Sequence, residues 1–231
     1  MIKKLVWDSE FFSMKIGDFD ASSRFQVEEE HMFDLIQSSV DISYIDRISM
    51  LEYLDFKFVE LNITFYKNLT KSIKQKIKLD PNLRIRKADI SDIETLQNFT
   101  KIIYKKSRYN HKPFSKHDSE KLYSTWIKKA VLGTFDDFCL VLSQDKNICS
   151  FITVKIEKDI ATIGLVGSNP KFSNKGFASI LINMLMEKLI ENDVAKLFVS
   201  TQGTNIKAQN FYIRNGFKVN SVSFWYYKVI E

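Results

Sequence analysis

Glycine, proline, cysteine and histidine are all scarce in this chain: 7, 3, 2 and 3 of 231 residues. Each shortage excludes something. Two cysteines, Cys139 and Cys149, cannot build a disulfide scaffold or a four-thiolate metal site. Both lie in apolar, strand-like runs and read as buried free thiols. The histidines, His31, His111 and His117, are too scattered for a zinc site, so no metal is expected. No apolar run reaches the ~18 residues of a membrane helix, so no membrane partner is expected. The first residues meet an acid at Asp8 and offer no apolar leader core, so a cytoplasmic protein with reduced thiols is expected. The few glycines are also uneven. Gly164, Gly167, Gly176, Gly203 and Gly216 all fall between 164 and 216. A chain that avoids glycine and then clusters it has a backbone task there.

What remains is ordinary globular material, 45% hydrophobic and 27% charged, enough for one large domain or two small ones. The net charge of +6 is uneven: residues 1–70 carry −6, residues 71–117 carry +9 and residues 118–231 carry +3. Basic residues concentrate in Lys71–Lys78 and Lys101–Lys116 instead of covering a face, so no nucleic-acid partner is expected. Lys71–Lys78 reads as a solvated connector, and Lys101–Lys116 can draw in an anionic small molecule.

Residues 1–70 read as strand, helix, strand, helix, strand. Leu5–Trp7 and Phe11-Phe12 begin the unit. Met32, Leu35 and Ile36 place a helix over Val27–Ser38. A short strand over Ile42–Ile45 and an alternating one over Phe56–Lys67 follow. Residues 71–82 form the expected linker, and 83–231 the second domain. That domain starts with a strand at Leu83–Lys87. A helix through Ile93, Leu96, Phe99 and Ile103 follows, capped by Asp89 or Ser91. Asp118–Leu132 is a helix closed by Gly133. Phe138–Leu142, Ile148–Glu157 and Ile160–Val166 form an antiparallel meander. Helix Ala178–Glu191, strand Lys196–Ser200, helix Ile206–Asn215 and strand Phe217–Val229 complete the chain. The last strand, with Phe224-Trp225-Tyr226-Tyr227, fits a core better than a dimer edge, and a homodimer stays open. Residues 55–67 align without a gap to 216–228, sharing Phe, Lys, Tyr and Lys, as if the first unit were a shortened copy of the second.

Two segments carry chemistry. Ile163–Ala178 is a strand, a short loop and a glycine that opens a helix. Free N–H groups and the positive dipole end there suit a phosphate. The glycine spacing matches neither the P-loop nor the dinucleotide fingerprint. The second segment is Thr201–Asn205 followed by Ala208, Phe211 and Tyr212. Thr204 or Asn205 can cap this helix, and the last three residues share one face.

Ser173-Asn174-Lys175-Gly176-Phe177-Ala178 resembles the CoA-pyrophosphate loop of the GNAT superfamily of N-acyltransferases, with Ser173 where that family carries Gln or Arg. Asn205-x-x-Ala208-x-x-Phe211-Tyr212-x-x-x-Gly216-Phe217 resembles its second motif. The resemblance implies an α/β (α+β) GNAT fold, a mixed and mostly antiparallel sheet flanked by helices. The smaller N-terminal unit would be a truncated half of the same fold. Leu5-x-Trp7-Asp8-Ser9-x-Phe11-Phe12, Ser107-Arg108-Tyr109, Leu122-Tyr123-x-x-Trp126-Ile127 and Gly133–Asp136 resemble the bacterial dTDP-fucosamine acetyltransferase group. That group acylates an amine on a nucleotide-linked amino-dideoxy sugar, a step of surface-polysaccharide (lipopolysaccharide) biosynthesis.

The resemblance implies direct attack of a neutral sugar amine on acetyl-CoA or another short acyl-CoA. It assigns the cofactor contacts to Val166, Gly167, Ser173, Asn174, Lys175, Gly176, Phe177, Ala178, Asn205, Phe211 and Tyr212. Tyr212 would protonate the leaving thiolate, Asn205 would meet the pantetheine arm, and a backbone N–H at Leu165 or Val166 would hold the oxyanion. The sugar nucleotide is expected at Trp7, Phe11, Phe12, Arg108, Tyr109 and Phe114, with Arg108 on phosphate and an aromatic face for stacking. No base stands out. His111, His117, Asp136 and Asp137 are candidates by location, and solvent is the alternative. A GNAT acting on another amine, such as a protein N-terminus or an aminoglycoside, and a silent GNAT-like binding module are the competing readings.

Overall fold

The computed structural model describes residues 2–70 and 80–230, so the lysine-rich segment Lys71–Lys78 lies outside the described residues. The first part of the chain forms β1 (Ile2–Lys4), α1 (Val6–Phe12), β2 (Ile16–Phe19), β3 (Leu35–Asp41), α2 (Ile45–Tyr53) and β4 (Lys57–Asn68). The second forms β5 (Leu83–Lys87), α3 (Ile93–Ile103), α4 (Lys116–Val131), β6 (Phe138–Gln144), β7 (Asn147–Glu157) and β8 (Ile160–Ser168). It ends with α5 (Phe177–Glu191), β9 (Lys196–Gln202), α6 (Ile206–Arg214) and β10 (Lys218–Val229).

Among the described residues, all ten strands join one mixed sheet in the order β1-β2-β3-β10-β4-β9-β8-β7-β6-β5. Among the described residues, only β2–β3 and β8–β9 are parallel pairs. The two parts exchange their last strands. β4 completes the second part by pairing with β9, and β10 completes the first by pairing with β3. β4 and β10 pair with each other, with Asn62 opposite Ser223. Those two are also equivalent in the 55–67 to 216–228 alignment, so a local two-fold passes through this pair. Asp55 and Gly216, equivalent again, both end a helix at positive φ, 64° and 78°. The resemblance of the halves is therefore geometric as well as sequential. The aromatic last strand is internal, with Tyr226 and Tyr227 each 2% exposed.

Apolar cores fill both faces of the sheet. In the second part, α5 packs Leu181, Ile182, Leu185 and Leu189 on Ile152, Val154 and Ile163. On the other face α3 and α4 pack Leu96, Tyr123 and Ile127 on Val141, Phe151 and Leu165. In the first part, Leu51 of α2 joins Phe19, Ile36 and Phe56 on one face. Phe12 and Phe114 join Leu35 and Tyr227 on the other. The second part follows the sequence expectation within two or three residues at each end. Asp89 caps the turn leading into α3, Ser115 and Asp118 form a capping box at α4, and Gly133 has φ 66°.

The first part departs from expectation in three places. Val6–Phe12 is a helix, not a strand. The helix expected over Val27–Ser38 is a short 3-10 turn followed by β3. Ile42–Ile45 leads into α2 instead of forming a strand. The physical reason for the second is burial on both sheet faces. Leu35, Ile36, Gln37 and Ser38 are all buried between β2 and β10, and such a strand shows no alternation.

Candidate active site

β8 and β9 pair only from Ile160–Lys196 to Ile163–Val199 and then splay apart. Beyond that point the free edge of β8 faces a cleft of about 940 Å³. The pairing of β8 with β7 shifts register between Ile152 and Val154, which offsets the β8 backbone at the mouth of the splay. Gly164 is required there. A Cβ at this position would come within 2.7 Å of Asp136 Oδ2 and 2.9 Å of Thr153 Oγ1.

Two backbone amides of β8 were expected to hold an oxyanion, and they differ. The Leu165 N–H donates to Thr153 Oγ1 at 2.8 Å inside the core, so it is already engaged. The Val166 N–H faces the splay and donates to the Tyr104 hydroxyl at 2.9 Å, while that hydroxyl donates back to the Val166 carbonyl at 2.9 Å. Tyr104 lies just past α3 and stacks on Tyr123, with ring centroids 4.5 Å apart. Burial pushes its hydroxyl pKa up, so it stays protonated and can donate and accept together.

At the start of α5, Gly176 takes φ 77° with open space where a Cβ would stand. Asn174, at φ 63°, precedes it. The Ser173 N–H donates to the Pro170 carbonyl at 3.2 Å and is not free. Among the described residues the amides of Asn174 through Ser179 find no internal acceptor. Unpartnered amides at a helix N-terminus suit an anion, and Lys175 lies beside them over Phe172. The loop singled out from the sequence ends at Ala178, and the run of unpartnered amides extends one residue further, to Ser179.

α6 places Tyr212 against Phe65, Phe211 and Phe217, with centroids 5.3 to 5.8 Å away. The residue is 2% exposed, yet its hydroxyl opens to the cleft with no hydrogen-bond partner among the described residues. Burial raises its pKa, so the phenol is neutral. Asn205 caps α6, accepting from the Ala208 N–H at 3.2 Å and donating to Thr201 Oγ1 at 3.2 Å. Its side chain lines the cleft but already has both partners. Phe211 packs at the edge of the core, outside the cleft lining.

The other wall of the cleft is aromatic and basic. Tyr104, Tyr123, Trp126, Phe135, Tyr109 and Trp225 line it. Arg108 lies over Trp225 at 4.1 Å and Tyr109 at 4.3 Å. Its fork donates to Gln37 Oε1 at 2.7 Å and to the hydroxyls of Tyr227 and Tyr109 at 2.9 and 2.6 Å. All three partners are neutral, so none of them compensates the charge of this cleft-lining guanidinium.

The remaining expected substrate contacts lie elsewhere. Phe12 and Phe114 are buried at 7% and 6% and pack behind Tyr109. Trp7 and Phe11 stack on each other at 4.8 Å, under the lysines of α4, and do not line the cleft. This segment supports the Arg108–Tyr109 loop from outside. Of the candidate bases, Asp136 is buried and accepts from the Trp126 indole N–H at 2.9 Å. Asp137 accepts from the Ile156 N–H at 2.5 Å, away from the lining. His111 and His117 are exposed outside it.

Glu60 was missed. It sits on β4 opposite Trp225 and lines the cleft. Burial lifts its carboxyl from 4.5 to about 7, against the opposing pull of Arg108. Nothing in its local sequence marks it.

This fold and cleft are those of an acyl-CoA N-acyltransferase. The sequence profile of the acetyltransferase (GNAT) family matches residues 99–217, and the chain belongs to that family. Over 98% of its length the chain is 23% identical to the dTDP-fucosamine acetyltransferase of Escherichia coli O6:H1 strain CFT073, covering 97% of that protein. A tandem GNAT protein from the clavulanic acid biosynthesis pathway shares the fold with a TM-score of 0.62 at 6% identity, over 87% of this chain and 66% of that one. The PaiA N-acetyltransferase of Thermoplasma acidophilum in complex with coenzyme A aligns with a TM-score of 0.52 at 20% identity, over 64% of this chain and 99% of that one.

Proposed function

We propose that the protein transfers an acetyl or other short acyl group from acyl-CoA to the amine of a nucleotide-linked amino-dideoxy sugar. The observation that carries this reading is the composition of one cleft. Its β8 side offers an open strand edge and the Tyr212 phenol, within one motif of the unpartnered amides at α5. Its other side offers a charged Arg108 among Tyr109, Trp225 and the Tyr104–Tyr123 stack. The first set suits a thioester on a phosphate-bearing arm, and the second suits an anionic aromatic nucleotide. Similarity over nearly the full chain to a dTDP-fucosamine acetyltransferase supports the same substrate class.

In this mechanism the amides of Asn174 to Ser179 hold the pyrophosphate. The Val166 N–H, released by Tyr104, donates to the thioester oxygen as it becomes an oxyanion. The sugar amine attacks the carbonyl carbon, the C–S bond breaks, and Tyr212 protonates the thiolate. Arg108 and Tyr109 hold the nucleotide. An acceptor such as a peptide amine or an aminoglycoside would favour an acidic lining. Lys105, Lys106, Arg108, Lys155 and Lys207 outnumber Glu60, Asp136 and Glu157 in the cleft. The test is thiol release from acetyl-CoA across a set of dTDP-linked 3-amino and 4-amino sugars. Turnover of at least one supports the reading, and turnover only of non-nucleotide amines rejects it.

A further inference from the structure

Glu60 is costly where it stands. It is a half-buried acid in a central strand, and among the described residues it has no salt-bridge partner. The charged and titratable groups that face it are Arg108 and Tyr109 from the loop after α3, Tyr123 from α4 and Tyr227 from β10. Arg108 directs its fork to neutral partners. Burial raises all three tyrosines, so none of them titrates near neutrality. Asp8, raised by burial, also faces Arg108 and Tyr109 but lies outside the cleft lining. Glu60, held back in part by the charge and backbone N–H of Arg108, is therefore the carboxyl of this cluster in the cleft lining that exchanges a proton there.

Its position fits the chemistry. Side chains alternate along β4, so Glu60 and Asn62 share one face and Phe65 takes the other. Tyr212 packs on Phe65. The carboxylate and the phenol thus reach one cleft from opposite faces of the sheet, Glu60 on the α4 and Arg108 side. We propose that Glu60 is the general base of the acyl transfer, accepting the proton of the acceptor amine. This rests on the acyl-transfer reading above.

The proton balance closes. The neutral amine attacks the thioester carbon and forms the C–N bond. The nitrogen, now carrying an extra proton, passes it to the Glu60 carboxylate. The C–S bond breaks, and the thiolate takes a proton from Tyr212. Glu60 then releases its proton to water and Tyr212 regains one, leaving amide and free thiol.

The experiment compares wild type, Glu60→Gln and Glu60→Asp in kcat at saturating acetyl-CoA and dTDP-amino sugar, from pH 5.5 to 9. The wild type should show an acid limb near the value of about 7 set by burial. Glu60→Gln should lose about 100-fold or more at pH 7.5, lose that limb, and recover part of the gap at high pH. Glu60→Asp should recover part of the rate. Acetyl-CoA affinity should be unchanged in both.

Melting separates catalysis from structure. The folded-state value lies above the unfolded 4.5, so the folded protein holds this proton more tightly. The charged carboxylate therefore opposes folding increasingly from pH 4.5 to 7 and fully above that. Glu60→Gln should melt at or above the wild-type temperature at pH 8. A kcat within threefold of wild type overturns the proposal. So does an equal loss at every pH joined to a lower melting temperature, which marks a structural role. A wild type inactive on every nucleotide amino sugar removes the acyl-transfer reading and this role with it; the wild-type control tells the failures apart.

Discussion

Tyr212 meets the cleft with its ring gripped by Phe65, Phe211 and Phe217 and its hydroxyl unpartnered. Removing that hydroxyl leaves the packing intact. Tyr212→Phe should therefore keep its melting temperature and lose about 100-fold or more in kcat, measured by thiol release. An unchanged kcat would remove its role as acid. Gly176 makes a different case. Its φ of 77° is strained for any L side chain, but open space surrounds the missing Cβ. Gly176→Ala should cost about 1–2 kcal/mol in stability from the backbone alone. Its KM for acyl-CoA should rise, because the amides beside it lose their aim. Both residues were legible in the sequence, since the motif holding each is contiguous. Glu60 was not. Its cleft position arises only because β4 crosses into the second half, next to Trp225, 165 positions later.

The Tyr104 clasp on Val166 belongs to the scale of elements, because it ties the end of α3 to the open edge of β8 across 62 positions. A hydroxyl holding both backbone groups competes with an acyl-CoA that needs the same edge. Tyr104→Phe should therefore tighten acyl-CoA binding a few-fold in calorimetry; weaker binding would mean that the hydroxyl serves the ligand. A second element-scale contact is the Arg86–Asp92 pair at the entry to α3, bidentate at 2.6 and 2.8 Å. Arg86 is 42% exposed, so solvent screening holds the loss in Asp92→Asn to about 1 kcal/mol. The Arg86 hydrogen bonds keep the Asp92 carboxyl below its usual 3.8. Its contribution is full above that pH and fades as pH falls through the lower folded value. Wild type and variant should thus converge in acid denaturation below about pH 3.8. The elements themselves were legible where amphipathic spacing and caps agreed, as in α3 and α6. They were misread at Leu35–Asp41, where burial on both faces removes the period that distinguishes strand from helix.

At the scale of the molecule, the exchanged strands make the two halves interdependent. A piece comprising residues 83–231 would lack β4, leaving the β9 edge and the Tyr212 packing partner Phe65 unfilled. That piece should not unfold cooperatively as a soluble monomer, whereas the whole chain should show one transition in calorimetry. Arg108 reinforces the coupling by joining Gln37 of β3 and Tyr227 of β10 to the loop beside the cleft. Arg108→Ala should raise the KM for the nucleotide sugar with acyl-CoA affinity preserved, and also lower the melting temperature; the reverse pattern of affinities would reject that placement. The measurement that most directly tests the account is thiol release from acetyl-CoA with nucleotide-linked amino sugars, set beside peptide amines and aminoglycosides. The account predicts turnover of a nucleotide-linked amino sugar and little of the others, with the rate lost in Tyr212→Phe. Turnover confined to peptide or aminoglycoside amines would contradict it.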